Sequence, residues 1–291
     1  MEQIPLVTLT TDFGTADGYV GTMKGVILSI APDARLVDIS HQIAPQDVRQ
    51  AAYVVYTSYI FFPPRTVHLV VVDPGVGSAR RPIALRTPVG AFVGPDNGVF
   101  SYVMAHEPVK ALVELADPRY RLPELSHTFH GRDVFAPAAA HLAAGVPITA
   151  LGPSVGDPVT FPPPRLEITP GGVTGEVLHV DRFGNVVTSI GVLGWSGEGG
   201  DEGGYELVLA PVFRGAGGRE PVRLRFEAGG AVVVVAGQEI AGVRRTYAEA
   251  ERDQVLALVG SSGHLEIAVR EGSAARRLGL RPGDVVELCL R

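Results

Sequence analysis

Val67-His-Leu-Val-Val-Val72, running straight into Asp73-Pro-Gly-Val-Gly77, is the stretch that decides the fold. A nearly unbroken β-branched run has no polar face to offer water, so it reads as a strand covered on both sides, as in a parallel sheet between helices. The proline and glycines that follow end it and turn the chain away. On either side, strand and helix patterns alternate. Leu6–Thr10 reads as a buried strand ending at Thr11-Asp12-Phe-Gly14, and Asp17 is placed to cap a helix from Tyr19 to Ser29 that Ala31-Pro32 stops. Arg35–Ile39 is a short second strand, and Gln46–Tyr59 fits a helix with Val48, Ala51, Ala52 and Val55 on one face. Ile83–Leu85 and Ala91–Val93 add strands, and Phe135–Ala144 a helix. The expected architecture is an N-terminal α/β domain over residues 1–160, built on a largely parallel sheet.

Pro153, Pro158 and Pro162-Pro-Pro164 then punctuate a run poor in helix formers, and 161–167 is read as a linker. Over 168–291, short β-rich runs alternate with glycine-rich turns, among them Val173–Val180, Val186–Ile190, Tyr205–Leu209, Val222–Phe226, Leu265–Val269 and Val285–Leu290. Many short strands at this spacing suggest a C-terminal β-barrel or sandwich. Gly191–Gly204 is expected to be a hairpin or surface loop.

Composition sets bounds on function. The 291 residues, 46% hydrophobic and 19% charged, fit a two-domain protein with a sizeable core. A net charge of −6 argues against a general nucleic-acid binder. No apolar run approaches the roughly 20 residues of a membrane span, and the first residues lack the basic and apolar regions of a signal peptide. The single cysteine, Cys289, excludes an intrachain disulfide, so the expected compartment is the cytoplasm. Cys289 lies in the alternating run Val285–Leu290, which makes it a strand residue rather than a nucleophile.

Two loops concentrate charge where a plain connection needs none: Asp73-Pro-Gly-Val-Gly-Ser-Ala-Arg-Arg81 and Phe129-His-Gly-Arg-Asp133. Asp73 follows the central strand directly, and Arg80 or Arg81 could neutralise it. His130 precedes a helix, whose positive end favours a neutral imidazole. Asp133 reads as that helix's cap. Asp12, at the end of the first strand, sits where α/β sheets bind ligands and could accept hydrogen bonds from both hydroxyls of a ribose. An acid, an arginine and a histidine held this way can orient and polarise a water molecule. The remaining histidines read as structural and fail zinc spacings such as His-Glu-x-x-His, so no metal site is expected. Asp96-Asn97-Gly98 is a turn signal. In Asp181-Arg-Phe-Gly-Asn185, Phe183 could stack on a planar base and Asn185 could pair with its edge, although an ordinary hairpin explains the run as well. Ser261-Ser262-Gly263 is a generic polar turn.

Taken in order, Thr11-Asp-Phe-Gly14 with Lys24-Gly25, Asp73-Pro-Gly-Val-Gly77 with Arg80-Arg81, Gly94-Pro-Asp-Asn-Gly98, Phe129-His-Gly-Arg-Asp133, Asp181-Arg-Phe-Gly-Asn185 and Ser261-Ser-Gly263 closely resemble the S-adenosyl-L-methionine hydroxide adenosyltransferases, relatives of fluorinase and chlorinase. The resemblance spans nearly the whole chain. It implies an N-terminal α/β domain, a C-terminal β-barrel, and a homotrimer holding S-adenosylmethionine between subunits. It also implies the reaction, in which water or hydroxide displaces methionine from the ribose C5′ with no cofactor. By motif, Asp12 would bind the ribose hydroxyls, and Asp73, Arg80 and His130 would position and activate water. Phe183 and Asn185 would contact adenine, while Asp181, Ser261 and Ser262 would hold the methionine end.

Fluorinase-like members have a tyrosine and a hydroxyl residue near the positions of Asp73 and Val76, an insertion before the Phe129–Asp133 block, and an arginine where Ser262 stands. Halide transfer is therefore the weaker reading. Two rivals remain: a protein that binds S-adenosylmethionine or adenosine without turnover, and a nucleoside or phosphoester hydrolase, since Asp73-Pro-Gly resembles part of a calcium-binding aspartate motif. The latter lacks the further aspartates that its metal loop would need.

Overall fold

The computed structural model describes residues 4–196, 206–209 and 224–290. The chain forms two compact units, 1–161 and 162–291.

The first unit runs β1 (Leu6–Thr11), α1 (Tyr19–Ile30), β2 (Arg35–Ser40), α2 (Val48–Ser58), β3 (Thr66–Val71), β4 (Pro82–Arg86), β5 (Gly90–Pro95), α3 (Ser101–His106), β6 (Ala111–Glu114) and α4 (Ala136–Ala143). Its six-stranded sheet has the order β2-β1-β3-β5-β4-β6. The sheet is mixed: β2, β1, β3 and β5 are parallel neighbours, whereas β4 runs against both β5 and β6. The central run is buried throughout, as its composition demands.

Side chains alternate across this sheet. Val7, Leu9, Val67, Leu69 and Val71 share an apolar cluster with Met23 and Ile27 of α1 and Ala136, Ala139 and Ala140 of α4. On the other face, His68 stacks on Phe92 with centroids 4.8 Å apart, and Tyr59 meets Phe92 edge-on. The hydroxyl of Thr8 lies 2.8 Å from His68 Nδ1. Burial of this histidine pushes its pKa down to about 4.

Local readings needed correction where a cap or a short element decides. Asp17 does not cap α1, whose N-cap is Gly18 with no side-chain bond. Gln46 is not helical; it takes a left-handed φ of 67°, and Asp47 caps α2 by accepting from the Gln50 N–H. A π-helical turn, Gly131–Phe135, precedes α4. The elements α3 and β6, of six and four residues, are too short to show a period.

The second unit is almost all strand: β7 (Leu166–Thr169), β8 (Gly172–Val180), β9 (Val186–Thr188), β10 (Leu193–Ser196), β11 (Glu206–Leu209), β12 (Leu224–Glu227), β13 (Val232–Val235), β14 (Gln238–Ala241), β15 (Val243–Arg244), β16 (Val255–Val259), β17 (Leu265–Val269) and β18 (Val285–Cys289), with α5 (Ala274–Leu278). A nine-stranded sheet runs from β14 through β13, β18, β8, β9, β17 and β16 to β15, with β7 on β8. Its two ends, β14 and β15, follow each other in the chain, so the sheet is nearly closed and barrel-like around one apolar cluster. Leu166 and Glu167, expected in the linker, pair with β8. Within the expected 191–204 loop, Leu193–Ser196 is a strand paired with β11, and the part from 197 onward lies outside the described residues. So do Tyr205 and Val222, the expected starts of two strands.

His68 makes stability depend on pH. Its folded pKa lies below that of free imidazole, about 6.5, so its contribution is complete above that value and is lost as pH falls toward 4. His68→Gln is therefore less stable than wild type at pH 7, and in denaturant unfolding the deficit shrinks by about 2 kcal/mol at pH 5. An equal deficit at both pH values contradicts a neutral buried imidazole.

Candidate active site

Strands β1 and β3 end level with one another, Thr11 opposite Val71, so Asp12 and Asp73 leave the sheet at the same carboxyl edge. Ligands of open α/β sheets bind at such an edge. The 73–80 loop is folded on itself by Val76 N–H to Asp73 O and Ser78 N–H to Gly75 O. Gly77 has a φ of +77°, and a Cβ there would stand 2.6 Å from the His127 carbonyl. Only glycine lets the two charged loops approach so closely.

Loop closure brings Asp73, Arg80 and His130 together. The Asp73 and Arg80 side chains are only 6% and 8% exposed. Arg80 Nε donates to Asp73 Oδ1 at 2.8 Å and Nη2 donates to Oδ2, a bidentate pair. Nη2 also lies 2.9 Å from His130 Nδ1. A guanidinium cannot accept, so Nδ1 is the acceptor and the neutral ring carries its proton on Nε2. Phe135 lies beneath the guanidinium carbon, 5.0 Å from its ring centroid. Arg80 Nη1 is buried and has no hydrogen-bond partner among the described residues. Burial, and then the Arg80 charge, lower the His130 pKa against the opposing pull of Asp73 and Asp133.

Asp73, His130 and Asp12 line one cavity of about 320 Å³, shared with Phe13, Gln46, Val76, Thr128 and Phe129. Arg80 stands behind Asp73. The Asp12 Oδ2 atom accepts from the Gln46 N–H at 2.8 Å, which orients the carboxylate and leaves Oδ1 for a ligand. Phe129 closes one side against Phe13 and Tyr19, with centroids 5.9 and 5.1 Å away. Asp133 serves structure: fully buried, it pairs with Arg132 and accepts from the Ser126 N–H at 2.7 Å, tying down the loop before His130. It is not a helix cap: His130 is the N-cap of the π-helical turn and Phe135 that of α4.

The second unit holds the other candidates. Asp181 Oδ1 accepts from the Phe183 and Asn185 N–H groups at 2.9 and 2.8 Å, and Oδ2 accepts from Asn185 Nδ2 at 3.0 Å. The Asn185 amide is thereby oriented, with its oxygen left as an acceptor. Phe183 is 76% exposed. Ser261 and Ser262 sit in the turn between β16 and β17. Among the described residues no three His, Cys, Asp or Glu side chains form a group able to hold a metal ion, and no helix is long and apolar enough to cross a membrane. Sequence reasoning missed Gln46 and Thr128. Gln46 acts through its backbone N–H in a left-handed conformation, and neither feature leaves a side-chain signal.

Residues 7–152 match the SAM hydroxide adenosyltransferase N-terminal domain, and residues 219–287 match the corresponding C-terminal domain. The chain is 40% identical to the (R)-S-adenosyl-L-methionine hydrolase of Thermus thermophilus, covering 97% of this chain and 98% of that one. It is 39% identical to the protein of the same name from Salinispora tropica, over 98% and 97% of the two chains. A fluorinase of an Actinoplanes species is 30% identical over 64% of this chain and 72% of its own. Among solved structures, an uncharacterised conserved protein of Thermotoga maritima superposes with a TM-score of 0.82 at 34% identity, covering 97% of this chain and 99% of that one.

The lowered pKa of His130 has a direct readout. Its imidazole resonances, followed by NMR across pH, titrate below the roughly 6.5 of a free histidine. A midpoint above 7 contradicts a neutral ring bonded to Arg80.

Proposed function

The chain belongs to the SAM hydroxide adenosyltransferase family, and from that premise we infer that it hydrolyses S-adenosyl-L-methionine to adenosine and L-methionine, water or hydroxide attacking the ribose C5′. The observation that carries this reading is the Asp73–Arg80–His130 cluster opening on the same cavity as Asp12.

The oxygen–C5′ bond forms as the C5′–sulfur bond breaks, and the bonding pair leaves on sulfur as a neutral thioether. The sulfonium needs no acid and the reaction no cofactor. The nucleophile is the difficulty. No carboxylate of ordinary basicity deprotonates water outright, so the proton leaves in concert with attack. A fixed acceptor contributes roughly 10²–10⁴-fold. Asp73 is that acceptor: each carboxylate oxygen keeps a lone pair beyond its bond to Arg80. His130 donates from Nε2 to the same water, because its Nδ1 is engaged by Arg80. Arg80 locks both groups at one distance, which makes in-line attack effectively unimolecular.

The same carboxylate disfavours halide. Two like charges roughly 4 Å apart repel by about 4 kcal/mol at an effective dielectric of about 20, and Arg80 offsets part of this. Val76 offers the cavity no hydroxyl. Asp12 binds the ribose hydroxyls through Oδ1. In the second unit, Asn185 accepts from the adenine amine, exposed Phe183 stacks on the base, and Ser261 and Ser262 hold the methionine end. Asp181, engaged with Asn185, acts there chiefly by orienting that amide. We place these groups in a homotrimer where a neighbouring subunit completes each site, a reading that the exposure of Phe183 supports. The single cysteine and the substrate support a cytoplasmic protein.

Purified protein incubated with S-adenosylmethionine yields adenosine and methionine in equal amounts, unaffected by chelator and without halogenated nucleoside in fluoride or chloride. Asp73→Asn, Arg80→Ala and His130→Ala each slow turnover at least about tenfold. Retention of the ligand without product would show a binding protein instead. Unchanged rates in all three variants would remove the cluster from the chemistry.

A further inference from the structure

The Asp96-Asn97 turn does more than reverse the chain after β5. Asn97 Nδ2 donates to the Val72 carbonyl at 2.9 Å, and Asn97 Oδ1 accepts from the Val99 N–H at 3.2 Å. These two partners fix which way the amide faces, since a flipped amide would set oxygen against the Val72 carbonyl. The neighbouring Asp96 carboxylate, 2% exposed, takes Arg81 Nε at 2.9 Å and Nη2 at 2.7 Å, while its N–H donates to the Arg81 carbonyl at 2.9 Å. The remaining arm of Arg81 reaches Asp157 at 2.7 Å, and Asp96 Oδ1 accepts from the Val159 N–H at 2.8 Å.

Val72 is the residue before Asp73, and Arg81 is the residue after Arg80. Two consecutive side chains of one turn therefore grip both stems of the loop whose first and last residues are the Asp73–Arg80 pair. A bidentate ion pair tolerates little displacement of either end, and in-line attack even less. We propose that Asn97 and Asp96 are positioning residues for the hydrolysis: they clamp the two stems of the 73–80 loop and so hold Asp73 and Arg80 in register with His130. The proposal rests on the catalytic reading of those three residues. It assigns Arg81, the second of the paired arginines, to the clamp rather than to the cavity.

The variant that separates a clamp from a turn is Asn97→Asp. Aspartate suits this turn as well as asparagine and still accepts from the Val99 N–H, but it cannot donate to the Val72 carbonyl. The first readout is the Arg80 Nε–H proton, identified by its loss in Arg80→Lys; while bonded to Asp73 it resonates downfield and exchanges slowly. The second is steady-state kinetics with S-adenosylmethionine. The clamp predicts a shifted, faster-exchanging Nε–H signal and kcat lowered about tenfold to a hundredfold, with KM held within about threefold. The melting temperature stays within about 4 °C of wild type.

A variant with wild-type kcat overturns the proposal, whether or not the Nε–H signal moves. Should Asn97→Asp fail to fold, Arg81→Lys, which loosens the other stem, must show the same pair of changes, and its failure to do so is equally fatal. Absence of turnover in the wild type would instead refute the hydrolase reading. The clamp would then stand or fall on the Nε–H signal alone.

Discussion

The bidentate contact between Asp73 and Arg80 is the constraint around which the candidate site is built. Both side chains are nearly shielded from water, so each charge depends on the other. Removing one partner of such a buried pair leaves the other uncompensated, at a cost of about 3–5 kcal/mol. That cost makes the pair hold its geometry. The same guanidinium reaches His130 Nδ1, and this one bond sets the imidazole tautomer and aims its N–H away from the arginine. Charge, tautomer and distance all follow from one planar cation.

The rest of the first unit supplies that cation's surroundings. Parallel pairing of β1 with β3 puts Asp12 and Asp73 at one edge, and the apolar interior of the sheet keeps that edge rigid. Gly77 lets the 73–80 loop lie against the segment leading to His130, and Phe135 supports the guanidinium from below. The Gln46 N–H holds Asp12 in the same cavity. Separately, in the second unit Asp181 spends its carboxylate orienting the Asn185 amide.

Much of this was legible in the sequence because burial and turn chemistry are local. The Val67–Val72 run could be nothing but an interior strand, and the Asp-Pro-Gly after it had to turn. The order of charged motifs gave the family, and with it Asp12, Asp73 and His130, which line one cavity of the first unit. What stayed hidden depends on tertiary placement. Nothing in Gln46 announces a left-handed residue whose backbone meets Asp12. Asp17 looks like a better cap than Gly18, yet takes no part in capping α1. Strand β4 runs against both neighbours, which its composition could not reveal. Nor could sequence divide the work between Arg80 and Arg81, because only the fold shows that one faces Asp73 and the other Asp96 and Asp157.

The central claim is that Asp73 takes a proton from water and does not itself attack carbon. A single turnover in ¹⁸O-labelled water, with enzyme in excess over S-adenosylmethionine, separates the two possibilities. Direct attack by water puts the heavy oxygen on the 5′ carbon of adenosine in that first turnover. Unlabelled adenosine, with ¹⁸O recovered in the peptide containing Asp73, would mean a covalent ester through the carboxylate and would contradict the account.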